Sequence, residues 1–235
     1  MLPHLPHLPH LPFRDRIAAG RALAAQLKSS HRWRHPLVLG LPRGGVPVAA
    51  EVARALGADL DVMIVRKVGL PWQPEVAMGA IASGEVCIRN GRVMRTAGVS
   101  DDDFLAAAHR ELQELKRREL RYRGERPLPS MAGRTVILVD DGLATGSTMR
   151  AAIAATRKFH PAEVVVAIPV GAADSVDELR GLAEEVICLA TPEPFGAVGA
   201  FYDDFSQTRD EEVGAILKAA GTRTAPAQAT HDDEP

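Results

Sequence analysis

Apolar positions recur along this chain in two alternating rhythms. Ile17, Leu23 and Leu27 fall at helical spacing and predict a helix over 14–28. The run PLVLG at 36–40 suits a buried strand, and a glycine turn then leads into a predicted helix over 46–56. LDVMIV at 60–65 reads as the next strand. MGAIAS (78–83) and EVCIR (85–89) predict a hairpin around Gly84. Ser100 can cap a helix running from 101 to about 122, with Asp103 completing a capping box. Acids crowd its first turn, and Arg117, Arg118 and Arg121 lie near its end, as the helix dipole prefers. TVILVD (135–140) is the most strand-like run of all. A helix over 147–159, a strand over 163–170, a helix over 174–183 and a strand over 185–190 complete the alternation.

Strand and helix in alternation predict an α/β fold with a doubly wound parallel sheet. Such sheets bind ligands beyond the carboxyl ends of their strands, where the strand order reverses. The loops after 40, 65, 140 and 190 are therefore expected to converge on one site. A length of 235 residues, 46% of them hydrophobic, fits one domain with a substantial core, placed at 13–220. A net charge of -2 demands neither nucleic acid nor a membrane surface as partner. The basic end of the 101–122 helix reads as a solvated helix end. No apolar run approaches the roughly 18 residues of a membrane span. The first residues lack the basic start and unbroken apolar segment of a secretion signal, so the cytoplasm is the expected location. Cys87 and Cys188 stand in no metal or redox spacing and are expected to be buried small hydrophobes. Residues 1–12 repeat Leu-Pro-His and read as a disordered extension. In a polyproline helix His4, His7 and His10 would share one face, and a metal tract is the lesser alternative. Residues 221–235 read as a loose tail.

The chemistry concentrates in VDDGLATGSTM, 139–149. Thr145 to Thr148 follow a predicted buried strand and open a predicted helix. There, backbone N–H groups and the helix dipole favour an anion. Gly146 allows close approach, and the hydroxyls of Thr145, Ser147 and Thr148 add donors. The lysine of a Walker A loop is missing, and so is the dinucleotide-binding glycine pattern. Asp140 and Asp141 precede this loop. Carboxylates suit vicinal hydroxyls or a hard cation. A ligand with a phosphate beside a diol, such as ribose 5-phosphate, satisfies both halves.

Four apolar residues, two acids and a T-G-x-T loop resemble the signature of the type I phosphoribosyltransferases, and VILVDDGLATGSTM matches it almost position for position. The resemblance implies that Asp140 and Asp141 hold the ribose hydroxyls and meet Mg²⁺. It likewise implies that Ala144, Thr145, Gly146, Ser147 and Thr148 hold the 5-phosphate of phosphoribosyl pyrophosphate. GLPRGG (40–45) looks like the family's pyrophosphate loop, with Arg43, Gly44 and Gly45 facing pyrophosphate and a non-proline cis peptide expected at Pro42–Arg43. In VRKVGLP (65–71), Arg66 and Lys67 sit where the family places basic residues near pyrophosphate. Lys67 is the second candidate after Arg43 for stabilising the leaving group. The following PWQPEVAMGAI lies in the region of the family's mobile flap, where Trp72 and Glu75 are candidate flap residues. The aromatic-rich segment at about 191–207 looks like the hood that covers the nucleobase. Phe195, Phe201 and Tyr202 are its candidate stacking faces, with Phe205 close by. Taken together, G-L-P-R-G-G, R-K-V-G-L-P and the Y-D-D-F of the hood resemble a widespread set of bacterial phosphoribosyltransferase-like proteins.

The implied reaction transfers ribose 5-phosphate from phosphoribosyl pyrophosphate to a nitrogenous base, with Mg²⁺ as cofactor and pyrophosphate released. The 6-oxopurine enzymes of this family place an aspartate in the loop beside the base. Ala144 stands there in this chain, which argues against hypoxanthine or guanine as acceptor. A non-catalytic sensor of phosphoribosyl pyrophosphate or a nucleotide is the alternative reading, and a homodimer is an expectation by analogy alone.

Overall fold

A computed structural model of the chain describes residues 10–30 and 33–221. In chain order the elements are α1 (Arg16–Ser30), β1 (Leu37–Gly40), α2 (Gly45–Leu56), β2 (Asp59–Val62), β3 (Val65–Leu70), β4 (Gln73–Ala82), β5 (Val86–Arg89), α3 (Gly91–Ala97), α4 (Asp101–Arg123), β6 (Thr135–Val139), α5 (Ser147–Arg157), β7 (Glu163–Val170), α6 (Ala173–Arg180), β8 (Glu185–Ala190) and α7 (Asp210–Gly221).

Five strands form a parallel sheet in the order β2-β1-β6-β7-β8. Every residue of β1 and β6 is buried, as a sheet covered on both faces requires. Alternate residues feed two separate cores. Val38, Ile137, Val139 and Val165 face α1, α2, α4 and α7, whereas Leu39, Val136, Leu138 and Val166 face α5 and α6. The winding direction reverses between β1 and β6, so the loops leaving these two strands flank the expected crevice.

A second sheet, β3-β4-β5, is antiparallel. It corrects the reading of 60–65 as one strand followed by a loop. β2 ends at Val62, and Met63 caps its pairing by donating to the Gly40 carbonyl at 3.1 Å. Ile64 then donates to Ser83 Oγ at 3.0 Å, while Ser83 N returns a bond to the Ile64 carbonyl at 2.9 Å. These bonds pull the chain out of the first sheet and into the second. The predicted hairpin is present, with Gly84 at φ 75° and Glu85 at φ 59° in its turn, although its first strand starts as early as Gln73. Cys87 is a further correction. It is exposed on β5, because Val86 and Ile88 take the inward positions of the alternation. Cys188 is half-buried, its thiol donating to the Ala190 carbonyl at 3.1 Å, and burial pushes its pKa up to about 11.

The capping box of α4 forms as predicted: Asp103 N donates to Ser100 Oγ at 3.1 Å, and Ser100 N donates to Asp103 Oδ2 at 3.3 Å. Two helices had no sequence expectation. α3 starts under an Asn90 side-chain cap and stops at Gly98, whose φ of 65° suits glycine. α7 opens on Asp210, Glu211 and Glu212 and buries Val213, Leu217 and Ala220. The Leu-Pro-His repeat up to residue 9 and the tail from 222 lie outside the described residues. His10 is described and is exposed. No helix among the described residues is long and apolar enough to cross a membrane.

The far end of α4 is tied to β2 by a buried ion pair. Arg123 Nε lies 3.0 and 3.2 Å from the two carboxylate oxygens of Asp61, and Arg123 also donates to the Val62 carbonyl and to Glu119. Both side chains are almost fully enclosed. Removing one partner of such a pair leaves the other charge buried and uncompensated. Arg123→Ala is therefore expected to destabilise the fold by about 3–5 kcal/mol, read as a lowered urea midpoint. A midpoint within error of the parent chain would refute the account.

Candidate active site

The site is built at the carboxyl ends of β1 and β6. Leu41 N donates to the Val139 carbonyl at 2.8 Å and holds the first loop against the second. The peptide between Pro42 and Arg43 is cis, as the resemblance of this loop to the family's pyrophosphate loop implies. Gly44 and Gly45 are required by contact. A Cβ on Gly44 would fall 1.9 Å from Asp141 Oδ2, and one on Gly45 would fall 2.6 Å from the Val139 carbonyl. The GLPRGG loop is thus pressed directly onto the two acids.

Beyond them, the loop into α5 turns its carbonyls away from the site. Ser175 Oγ donates to the Ala144 carbonyl at 2.7 Å, and Arg150 Nη1 donates to the Thr145 carbonyl at 3.0 Å. Leu143 is pinned to the end of β7 by bonds to Val170 and Ala172. Gly146, at φ 67°, caps α5 in the left-handed conformation that glycine adopts most readily. Among the described residues the N–H groups of Thr145 to Thr148 find no acceptor. A row of unused donors at a helix start is a cradle for an oxyanion. Thr145, Ser147 and Thr148 are wholly or partly exposed at its rim, with Thr145 Oγ1 and Ser147 Oγ 3.4 Å apart.

The acids are held unequally. Asp140 Oδ1 accepts from Asp141 N at 2.9 Å. Asp141 is gripped at two points: Tyr202 Oη donates to its backbone carbonyl at 2.5 Å, and Arg16 Nε donates to its Oδ2 at 2.7 Å. Burial first, and then the charge of Asp141, push the Asp140 carboxyl well above the ordinary carboxylate range. Burial also raises Asp141, against the pull of Arg16.

The hood closes over this from 191–207. Phe13 and Arg14, just before α1, pair with it through Phe13 N to the Phe201 carbonyl (2.8 Å), Asp203 N to the Phe13 carbonyl (2.8 Å) and Asp204 N to the Arg14 carbonyl (2.9 Å). Tyr202 departs from its expected role as a stacking face. Its ring is buried between Phe13 and Phe205, and its hydroxyl is committed to Asp141. Phe195 and Phe201 are half-buried and pack on each other with ring centroids 5.1 Å apart.

The basic candidates separate. Arg43 Nη1 lies 3.9 Å from Asp210 Oδ1, and that carboxylate also accepts from Tyr122 Oη (2.6 Å) and pairs with Arg121 (2.9 Å). The Tyr122 bond and the neighbouring guanidinium groups hold the Asp210 carboxyl below its usual range. Arg66 is turned onto α4, where it pairs with Glu111 at 2.7 Å. Lys67 points from the opposite face of β3 into a cleft of about 500 Å³ shared with Ser147 and Arg150 of α5, and that cleft includes neither Asp140, Asp141 nor Arg43. The expectation that the loop after 65 joins the others at the acids is thus replaced by a strand. Trp72 and Glu75 are exposed near the β3–β4 turn, Trp72 at 64%.

A family model described as a phosphoribosyl transferase domain matches residues 13–205, which contain both acids, both loops and nearly the whole hood. The chain belongs to the phosphoribosyl transferase family. Two Mycobacterium tuberculosis proteins, from strains CDC 1551 and H37Rv and provisionally named phosphoribosyl transferases, are each 47% identical over 208 residues, or 88% of this chain. This chain spans about half their length, 47%. The crystal structure of TT1426 from Thermus thermophilus superposes with a TM-score of 0.79 at 46% identity, covering 88% of this chain and 98% of that one. This phosphoribosyl transferase domain adds one residue that sequence reasoning missed, Arg16. Its approach to Asp141 spans 125 positions, and no local pattern announces it.

The raised Asp140 pKa has a direct consequence for stability. A carboxyl that binds protons more tightly folded than unfolded disfavours the fold once it must ionise. The penalty is absent below the unfolded value near pH 4 and complete above the folded pKa. Asp140→Asn removes it and keeps the acceptor for Asp141 N. Its thermal midpoint is expected to exceed that of the parent at pH 8, with the gain fading as pH falls toward about 4. A lower midpoint at pH 8 would contradict this.

Proposed function

We propose that this phosphoribosyl transferase domain moves ribose 5-phosphate from phosphoribosyl pyrophosphate to a nitrogenous base, releasing pyrophosphate. One observation carries the reading: paired carboxylates lead straight into a loop whose carbonyls are tied back and whose N–H groups are free. Few small ligands need both, and a sugar with a vicinal diol and a terminal phosphate does. The 5-phosphate would sit on Thr145 to Thr148, and the ribose hydroxyls would meet the acids.

The bond from the anomeric carbon to a pyrophosphate oxygen breaks, and its electron pair leaves with pyrophosphate. The acceptor nitrogen forms the new bond and gives up its proton. The Arg43 side chain and the N–H groups of Arg43 and Gly44, which find no acceptor among the described residues, would take up charge developing on the leaving group. The acids lie beside the ribose, where their charge favours an oxocarbenium-like centre. Mg²⁺ fits this donor set, because it commonly takes one or two carboxylates and completes its shell with water and substrate oxygens. Among the described residues no cluster of three His, Cys, Asp or Glu side chains could hold a metal without such help. When bound, Mg²⁺ would neutralise charge on the pyrophosphate. Lys67 opens instead on the cleft it shares with Ser147 and Arg150, beside the loop that would hold the 5-phosphate. Ala144 is exposed and offers no proton acceptor, so the acceptor base must lose its proton elsewhere.

Incubation with phosphoribosyl pyrophosphate, Mg²⁺ and a panel of purine, pyrimidine and pyridine bases is expected to release pyrophosphate with at least one base. Tight donor binding with no release from any base would favour a sensor. Replacing both acids, Asp140→Asn with Asp141→Asn, is expected to weaken donor binding about a hundredfold or more, as loss of two charge-assisted contacts implies. Unchanged affinity by calorimetry would overturn the ribose assignment.

A further inference from the structure

Two adjacent acids suggest two equivalent ligand contacts, but their surroundings differ. Among the described residues each acid keeps one oxygen that accepts no hydrogen bond, Asp140 Oδ2 and Asp141 Oδ1, but the other oxygen of Asp140 meets only the neutral N–H of Asp141. Asp141 Oδ2 carries the Arg16 guanidinium at 2.7 Å, with both side chains well enclosed, at 11% and 14% exposure. Arg16 is itself fixed on two further sides. Its Nη1 donates to the Ser206 carbonyl at 2.7 Å, and its guanidinium stacks 3.9 Å above the Phe205 ring. The third side is closed by the pyrophosphate loop, since a Cβ on Gly44 would approach Arg16 Nε to 3.2 Å. An arginine bonded to a carboxylate, bonded to a carbonyl and stacked on an aromatic face is held in one orientation. Nor is Asp141 free to swing away, because Tyr202 holds its carbonyl from the hood.

We infer that Arg16 is a resident counter-cation for Asp141. It compensates the charge of that acid and ties it to the hood, and it leaves Asp140 as the carboxylate whose charge is open to ligand. Arg16 is a positioning residue, because it acts through Asp141. The inference rests on the reading of these acids as the ribose and metal site, and it divides their labour. A guanidinium at Asp141 also repels a second cation. In the parent chain a divalent ion thus finds only one carboxylate without a counter-cation, beside a fixed positive charge, which is a poor site. Without Arg16 it would find two uncompensated carboxylates.

The test titrates Mn²⁺ alone, without donor, at pH 8 into the full chain, following free Mn²⁺ by electron paramagnetic resonance. Arg16→Gln removes the charge but keeps hydrogen-bonding reach, and it is expected to bind Mn²⁺ about tenfold or more tightly than the parent. Adding Asp141→Asn to Arg16→Gln should return the affinity to the parent level. Arg16→Lys keeps the charge and should stay near the parent. A purely structural role for Arg16 would lower the thermal midpoint of Arg16→Gln without raising Mn²⁺ affinity, and that result would overturn the inference. Equal Mn²⁺ binding by Arg16→Lys and Arg16→Gln would overturn it too. If Arg16→Gln fails to fold, the single acid variants decide. Asp140→Asn should weaken binding of phosphoribosyl pyrophosphate more than Asp141→Asn, and the reverse order would refute the division of labour. Failure of the parent to bind phosphoribosyl pyrophosphate would instead refute the proposed function, whatever Mn²⁺ does.

Discussion

Two carboxylates side by side at the end of a buried strand repel each other, and much of the surrounding architecture answers that repulsion. Asp140 follows a β6 that is buried at every position, so neither acid can retreat far into water. The backbone N–H of Asp141 and the guanidinium of Arg16 supply positive partners, one to each acid. Gly44 and Gly45 supply the space, because any side chain there would collide with the acids or their backbone. What is left is negative charge at the end of β6 that the protein's own groups compensate only in part. The loop into α5 answers the same negative charge by leaving the N–H groups of Thr145 to Thr148 unused while Ser175 and Arg150 hold the Ala144 and Thr145 carbonyls back.

Much of this could be read from sequence wherever the signal was local. β1, β6 and β7 are continuous apolar runs because both faces of the sheet are covered, and such runs are hard to mistake. The turn from β6 into α5 combined a strand end, two acids, a glycine and a helix start within one short window. The cis Pro42–Arg43 peptide was expected too, from the resemblance of GLPRGG to the family's pyrophosphate loop.

The misses share a long-range cause. VRKVGL looks like a strand end followed by a basic loop, since its two charges mask the alternation of Val68 and Leu70, which only pairing with β4 reveals. The aromatic residues of 191–207 marked a hood, but composition cannot tell a packed ring from an open one, and Tyr202 is packed. α7 carried acids in its first turn and apolar residues at helical spacing, a readable pattern overshadowed by the hood before it. Arg16 was invisible, because its importance depends wholly on a residue brought to it by the fold.

The pairing of Phe13 and Arg14 with the hood carries a consequence for how the protein is made. A ribosome delivers the chain from its amino end, and domains tend to fold as their parts emerge. The first strand, the acids and the 145–148 loop are all synthesised before residue 150. Arg16 waits through that whole interval for Phe205 and Ser206, and Phe13 waits for Phe201 and Asp203. Until the hood arrives, α1 lacks the partners at its start, and Asp141 lacks the hydroxyl that fixes its backbone. The pocket is thus among the last parts of the domain to take shape, even though its signature motif lies near the middle of the chain.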